Sequence, residues 1–97
     1  MPNPQGTPIW YELMTTDPEA SKAFYDDVIG WTVQDKPAGD MDYRMIDSGN
    51  GVDLVGGVMR LTEQMTAGGG RPTWLFYIGV DDVDASVGKI KAAGGSV

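Results

Sequence analysis

The same strand-to-helix junction is written twice in this sequence, and its spacing limits the fold more than any other feature. Asp17-Pro-Glu-Ala-Ser falls on Asp82-Val-Asp-Ala-Ser at a shift of 65 residues, and Gly30 falls on Gly95 at the same shift. Each copy begins with a β-branched and aromatic run, PIWYELMT (8–15) and TWLFYIGV (73–80), and continues into an acid-capped helix. A duplicated unit of this kind must bury one face of each helix against its own strand. Coincidence of common Asp and Gly caps, giving a complete small α+β domain of four or five strands, is the alternative reading.

Residues 1–7, rich in Pro, Gly and Asn, form an extended lead-in. Thr16 or Asp17 supplies the first helix cap, Pro18 suits the first helical position, and Glu19 suits the positive end of the helix dipole. Ala20, Phe24 and Val28 recur at helical spacing, so the helix is expected over 18–29 with Gly30 closing it. WTVQDK (31–36), a PAGD turn, MDYRMID (41–47), an SGNG turn and VDLVGGVMRL (52–61) then read as three further strands. The Gly56-Gly57 pair in the last of these marks a bulge or a close approach to the backbone. TEQMTAGGGRP (62–72) reads as a loop, and DDVDASVGKIKAAGG (81–95) as the second helix with its caps. The order is β-α-β-β-β and then β-α, ending where the next strand of a second copy would begin.

Composition removes several function classes. With 14 acidic against 7 basic residues the net charge is −7, which repels a nucleic-acid backbone. There is no cysteine and no histidine, so disulfides, thiolate metal sites, cysteine nucleophiles and imidazole chemistry are all absent. No apolar run reaches membrane-spanning length and the N-terminus lacks a signal-peptide pattern, so the expectation is a cytoplasmic protein without a membrane partner. The acids at 81, 82 and 84 lack calcium-loop spacing, and the glycines at 68–70 lack the Lys-Ser/Thr of a phosphate loop.

WYELMTTDPEASKAFYDDVIGW and WLFYIGVDDVDASVGKIKAAGG resemble the paired βαβββ modules of the vicinal oxygen chelate superfamily, the glyoxalase, bleomycin-resistance and extradiol-dioxygenase group. The match covers about residues 8–95. The resemblance implies an α+β fold of paired modules around one concave small-molecule site, with helices outside. Here the first module (8–61) is complete, 62–72 is a linker, and 73–97 holds only the strand and helix of the second. A chain so divided leaves sheet edges unpaired, which leads us to expect a homodimer or swapped assembly. Metal-bearing members of the group take ligands from the first and fourth strands of each module, usually His, Glu or Gln. The ion stabilises negative charge developing on two neighbouring substrate oxygens.

Carried over one position at a time, the first-strand ligand sits seven residues before the acidic cap, at Trp10 and at Leu75. Neither binds a metal. The fourth strand offers only Asp53, so no metal and no other cofactor is expected. Alternation along the strands places Trp10, Glu12 and Met14 on one face with Leu75 and Tyr77, and Tyr11 and Leu13 with Trp74 and Phe76 on the helix side. Glu12, a carboxylate among aromatics, is the candidate general base; its structural alternative is an ion pair with Arg44 or Arg60, or solvent. Trp10, Met14, Leu75 and Tyr77 are the candidate ligand-binding residues, with core filling as their alternative. Met41, Met45, Met59 and Met65 are candidate lining of an adaptable pocket or ordinary packing. The function expected is a glyoxalase or bleomycin-resistance-like domain that binds a small molecule without the usual metal. The alternatives are a metal-dependent lyase, isomerase or dioxygenase, and a fragment inactive without further strands or a second chain.

Overall fold

The computed structural model describes residues 3–37 and 39–97; Met1, Pro2 and Ala38, and with them part of the lead-in and of the PAGD turn, lie outside the described residues. The element order is β1 (Pro8–Thr15), α1 (Pro18–Ile29), β2 (Thr32–Val33), β3 (Tyr43–Asp47), β4 (Leu54–Arg60), α2 (Glu63–Ala67), β5 (Thr73–Ile78) and α3 (Val83–Ala92). Five strands form one sheet in the order β2-β3-β4-β1-β5. β1 runs parallel to β4 and antiparallel to β5, so the first strand of each repeat lies at the centre of the join.

The register of that join supports the duplication. Tyr11 pairs with Phe76, and 76 − 11 is the repeat shift of 65. Repeat-equivalent residues therefore face each other across a local two-fold axis, and the neighbouring pairs, Trp10 with Tyr77 and Glu12 with Leu75, exchange equivalents about it. The two caps agree in the same way. Ala20 N–H donates to Asp17 Oδ1 at 3.0 Å and Ala85 N–H to Asp82 Oδ1 at 3.0 Å. Asp17, not Thr16, is the first cap.

The helices end differently. Gly30 closes α1 with φ 85°, a conformation that glycine reaches without steric cost. α3 stops after 10 residues at Ala92, and Gly94, with φ 95°, takes the left-handed position that the repeat had assigned to Gly95. Residues 62–72 are not wholly a loop either. Thr62 accepts a hydrogen bond from Met65 N–H and Glu63 fills the first turn, which suffices for the short helix α2 despite the glycines that follow.

Leu13, Val33, Ile46 and Val58 make the core under α1, with Tyr25 and Trp31 packed against them. Lys22 Nζ donates to Asp26 Oδ2 at 2.6 Å and to the Val33 carbonyl, while Val33 N–H donates to Asp26 Oδ1 at 2.9 Å, tying α1 to β2. Around β5 the packing is different. All six of its residues are exposed and α3 contains no buried residue. The radius of gyration, 15.5 Å, exceeds the about 12.5 Å of a compact domain of this length. Among the described residues no helix is long and apolar enough to cross a membrane.

Candidate functional site

Cross-strand pairs share a face, so the register sorts the side chains. Trp10, Glu12, Met14, Tyr43, Met45, Gly57, Met59, Leu75 and Tyr77 fall on the face turned away from α1. Tyr11, Leu13, Arg44, Ile46, Val58, Trp74 and Phe76 fall on the helix face. The division expected from alternation therefore holds between residues 10–14 and 73–77. It extends to Met45 and Met59, whereas Met41 lies exposed before β3 and Met65 exposed in α2.

Two hydrogen bonds link the polar groups of the open face. Trp10 Nε1–H donates to Tyr43 Oη at 2.8 Å, and Tyr77 Oη–H donates to Glu12 Oε2 at 3.0 Å. Burial, with the Glu12 carboxylate adding to it against the Trp10 indole, pushes the Tyr43 phenol above its ordinary value. The hydrogen bond to Glu12 does the same for Tyr77. Both phenols thus keep their protons at neutral pH. Glu12 pairs with neither arginine, because Arg44 and Arg60 lie on the other face, bound to Asp42 and Glu19.

Tyr43 had no role in the sequence reading, yet the glycine pair was its signal. A Cβ built at Gly57 would strike the Tyr43 ring, so the ring lies across the bare backbone of β4. Val55, next to the pair, has no partner where the β3–β4 register shifts, so both meanings of the glycine pair are realised. Gly57→Ala is expected to push the ring off the strand, costing about 1–3 kcal/mol and freeing the Trp10 indole N–H. Urea unfolding and the Trp10 indole proton resonance read the two effects. Adding Tyr43→Val to Gly57→Ala should recover most of the stability, and a strictly additive double mutant would refute the contact.

A cavity of about 320 Å³ lies on the helix side, lined by Tyr11, Tyr25, Ile29, Trp31, Trp74 and Phe76, and also by Leu75, which the register assigns to the open face. Its walls are almost wholly apolar, and the Tyr25 hydroxyl is already taken by Trp74 Nε1–H at 3.0 Å. It brings no carboxylate or base to a ligand, whereas the opposite face carries Glu12.

This strand-and-helix duplication, with its open face built from first-strand residues, is matched along nearly the whole chain. Residues 8–97 match the family described as the Glyoxalase/Bleomycin resistance protein/Dioxygenase superfamily. The chain belongs to that superfamily. It is 40% identical over 100 residues to proteins named "Putative glyoxylase CFP32" of Mycobacterium bovis and Mycobacterium tuberculosis. Each match covers 96% of this chain and 35% of the mycobacterial protein. It is 33% identical over 107 residues to "Anthracycline biosynthesis protein DnrV" of Streptomyces peucetius, covering 95% of this chain and 37% of that protein. The chain thus spans about a third of the length of the curated relatives it matches.

The superfamily's divalent ion does not fit the residues present. At the two first-strand ligand positions stand Trp10, whose nitrogen carries a proton committed to Tyr43, and Leu75, which has no donor atom. Asp53 lies before β4 and accepts from Asn50 Nδ2 at 2.7 Å. Among the described residues no three His, Cys, Asp or Glu side chains gather where they could hold a metal. Among the described residues of β1, β4 and β5, Glu12 alone offers a carboxylate on the open face, and hard divalent ions require several oxygen ligands.

Proposed function

We propose that this chain forms one wall of a concave small-molecule site, binding its ligand through the open face of the sheet without a metal ligated by these residues. The observation that carries the reading is the pairing of Glu12 with Tyr77, and of Trp10 with Tyr43, on a face otherwise made of Met14, Met45, Met59 and Leu75. Small-molecule sites combine an apolar floor with a few placed polar groups in this way. The flat indole and the adaptable thioethers take the body of the ligand, and Glu12 is its hydrogen-bond acceptor and the base of any proton transfer. The opposing wall comes from outside these 97 residues, which agrees with the greater length of the relatives. The name of the Streptomyces relative suggests a flat polycyclic ligand.

The test is a titration with a hydroxylated anthraquinone, the flat core of an anthracycline, followed by tryptophan quenching. Trp10→Ala is expected to weaken binding by about tenfold, since a stacked aromatic is worth about 0.5–1.5 kcal/mol beyond its buried area. Trp74→Phe, on the helix side, is expected to leave affinity unchanged. The reverse pattern would move the site to the helix-side cavity.

A further inference from the structure

We propose that the polar end of this face takes a positively charged hydrogen-bond donor, an ammonium or guanidinium on an apolar aromatic body, and rejects carboxylates and phosphates; the proposal rests on the binding reading above. It follows from counting protons. Trp10 has one N–H, and it is spent on Tyr43 Oη. The Tyr77 proton is spent on Glu12, while the Tyr43 hydroxyl, which accepts the indole proton, keeps its own O–H to donate. Met14, Met45, Met59 and Leu75 bring no donor. What remains is one hydroxyl proton, on Tyr43, against a larger set of lone pairs on Glu12, Tyr77 and Tyr43.

Charge points the same way. Arg44 and Arg60, the basic residues of β3 and β4, are on the helix face and engaged by Asp42 and Glu19, so no strand of the sheet offers an anion a cation on this face; Lys36 and Arg71 lie in connecting segments. An anionic ligand would lie beside the Glu12 carboxylate with only the Tyr43 hydroxyl as donor, whereas a cation would find that carboxylate and the electron-rich faces of Trp10, Tyr43 and Tyr77. Tyr43 reaches this arrangement because Gly57 leaves room for its ring.

Three probes with one ring and different charge separate the outcomes: naphthylmethylamine, naphthylmethanol and naphthoate. Binding is read by calorimetry and by the shift of the Trp10 indole proton resonance, whose donor bond lies in the site. The amine is expected to bind at least about tenfold more tightly than the carboxylate, with the alcohol between, as charge-assisted hydrogen bonds are the stronger ones. Glu12→Gln should bring the three within about threefold of one another, since the amide both donates and accepts. Glu63→Gln removes the same charge from exposed α2 and should leave the order intact, which separates the local site from the general attraction of a chain of net charge −7. Tighter or equal binding of naphthoate, or a preference for the amine that survives Glu12→Gln, would overturn the charge inference alone. Failure of all three probes to shift the Trp10 resonance would overturn the binding reading and this inference with it.

Discussion

Gly56→Ala is expected to cost about 3 kcal/mol or more and to abolish the cooperative unfolding transition. Gly56 sits in β4 opposite Tyr11 of β1 and is buried. A Cβ there would come within 2.9 Å of the Tyr11 carbonyl carbon and closer still to its oxygen. A clashing side chain can change rotamer, but the clashing atoms here belong to the backbone of the strand that joins both halves of the sheet. Relief requires β1 and β4 to separate, and that pairing also positions Glu12 against Gly57. A domain below 100 residues has little stability in reserve, so a loss of this size approaches the whole. Far-UV circular dichroism and urea titration measure it. Gly88→Ala in α3, where a Cβ meets nothing within 4 Å, is the control and should leave the transition in place. A Gly56→Ala protein that unfolds at the wild-type midpoint would show that the strands have slack there.

Glycine at 56 and 57 was legible as a close approach, but what approaches was not. Helix α1, both caps and the alternation of β1 and β5 follow from local rules of period and capping, and they survive in the structure within a residue or two. The central register follows too, because a duplicated strand paired with its own repeat must bring equivalent residues together, as Tyr11 and Phe76 show. The bonds from Trp10 to Tyr43 and from Tyr77 to Glu12 span 33 and 65 residues and depend on which strands are neighbours, information that periodicity does not carry. The helix α2 was hidden by the glycines beside it, which outweighed a cap of one threonine. Arg44 is the clearest gap. An arginine in a strand reads as an exposed position, yet it is 4% exposed because its charge is neutralised by residues 2 and 25 positions away.

That neutralisation yields the second large effect. Arg44 donates to Asp42 at 2.9 Å and to Glu19 at 2.9 Å, and Arg60 donates to Asp42 at 2.8 Å and to Glu19 at 3.2 Å. Two guanidiniums and two carboxylates close a ring that fastens the first turn of α1 to β3 and β4. Arg44→Ala removes the buried member and leaves two carboxylates sharing one arginine, at an expected cost of about 2–4 kcal/mol. Arg44→Met keeps the stem and much of the volume. It also removes the Nη1 group, which is buried without a partner, so its cost should fall to about 1–2 kcal/mol. The ring also sets a pH dependence. Hydrogen bonds from the two arginines hold the Asp42 carboxyl below its ordinary value, and the bond from Arg44 does the same for Glu19. In the unfolded chain these groups take up protons at the ordinary values of 3.8 and 4.5, before the native state does, so stability falls as the pH falls. The contribution is complete above the ordinary carboxylate range and is lost as pH drops through the lower native values. Asp42, only 21% exposed, carries most of it, because Glu19 is 64% exposed and screened by water. Unfolding free energy measured from pH 7 down to pH 3 should therefore decline more steeply for the wild type than for Arg44→Met, and parallel profiles would show that the ring does not couple protonation to folding.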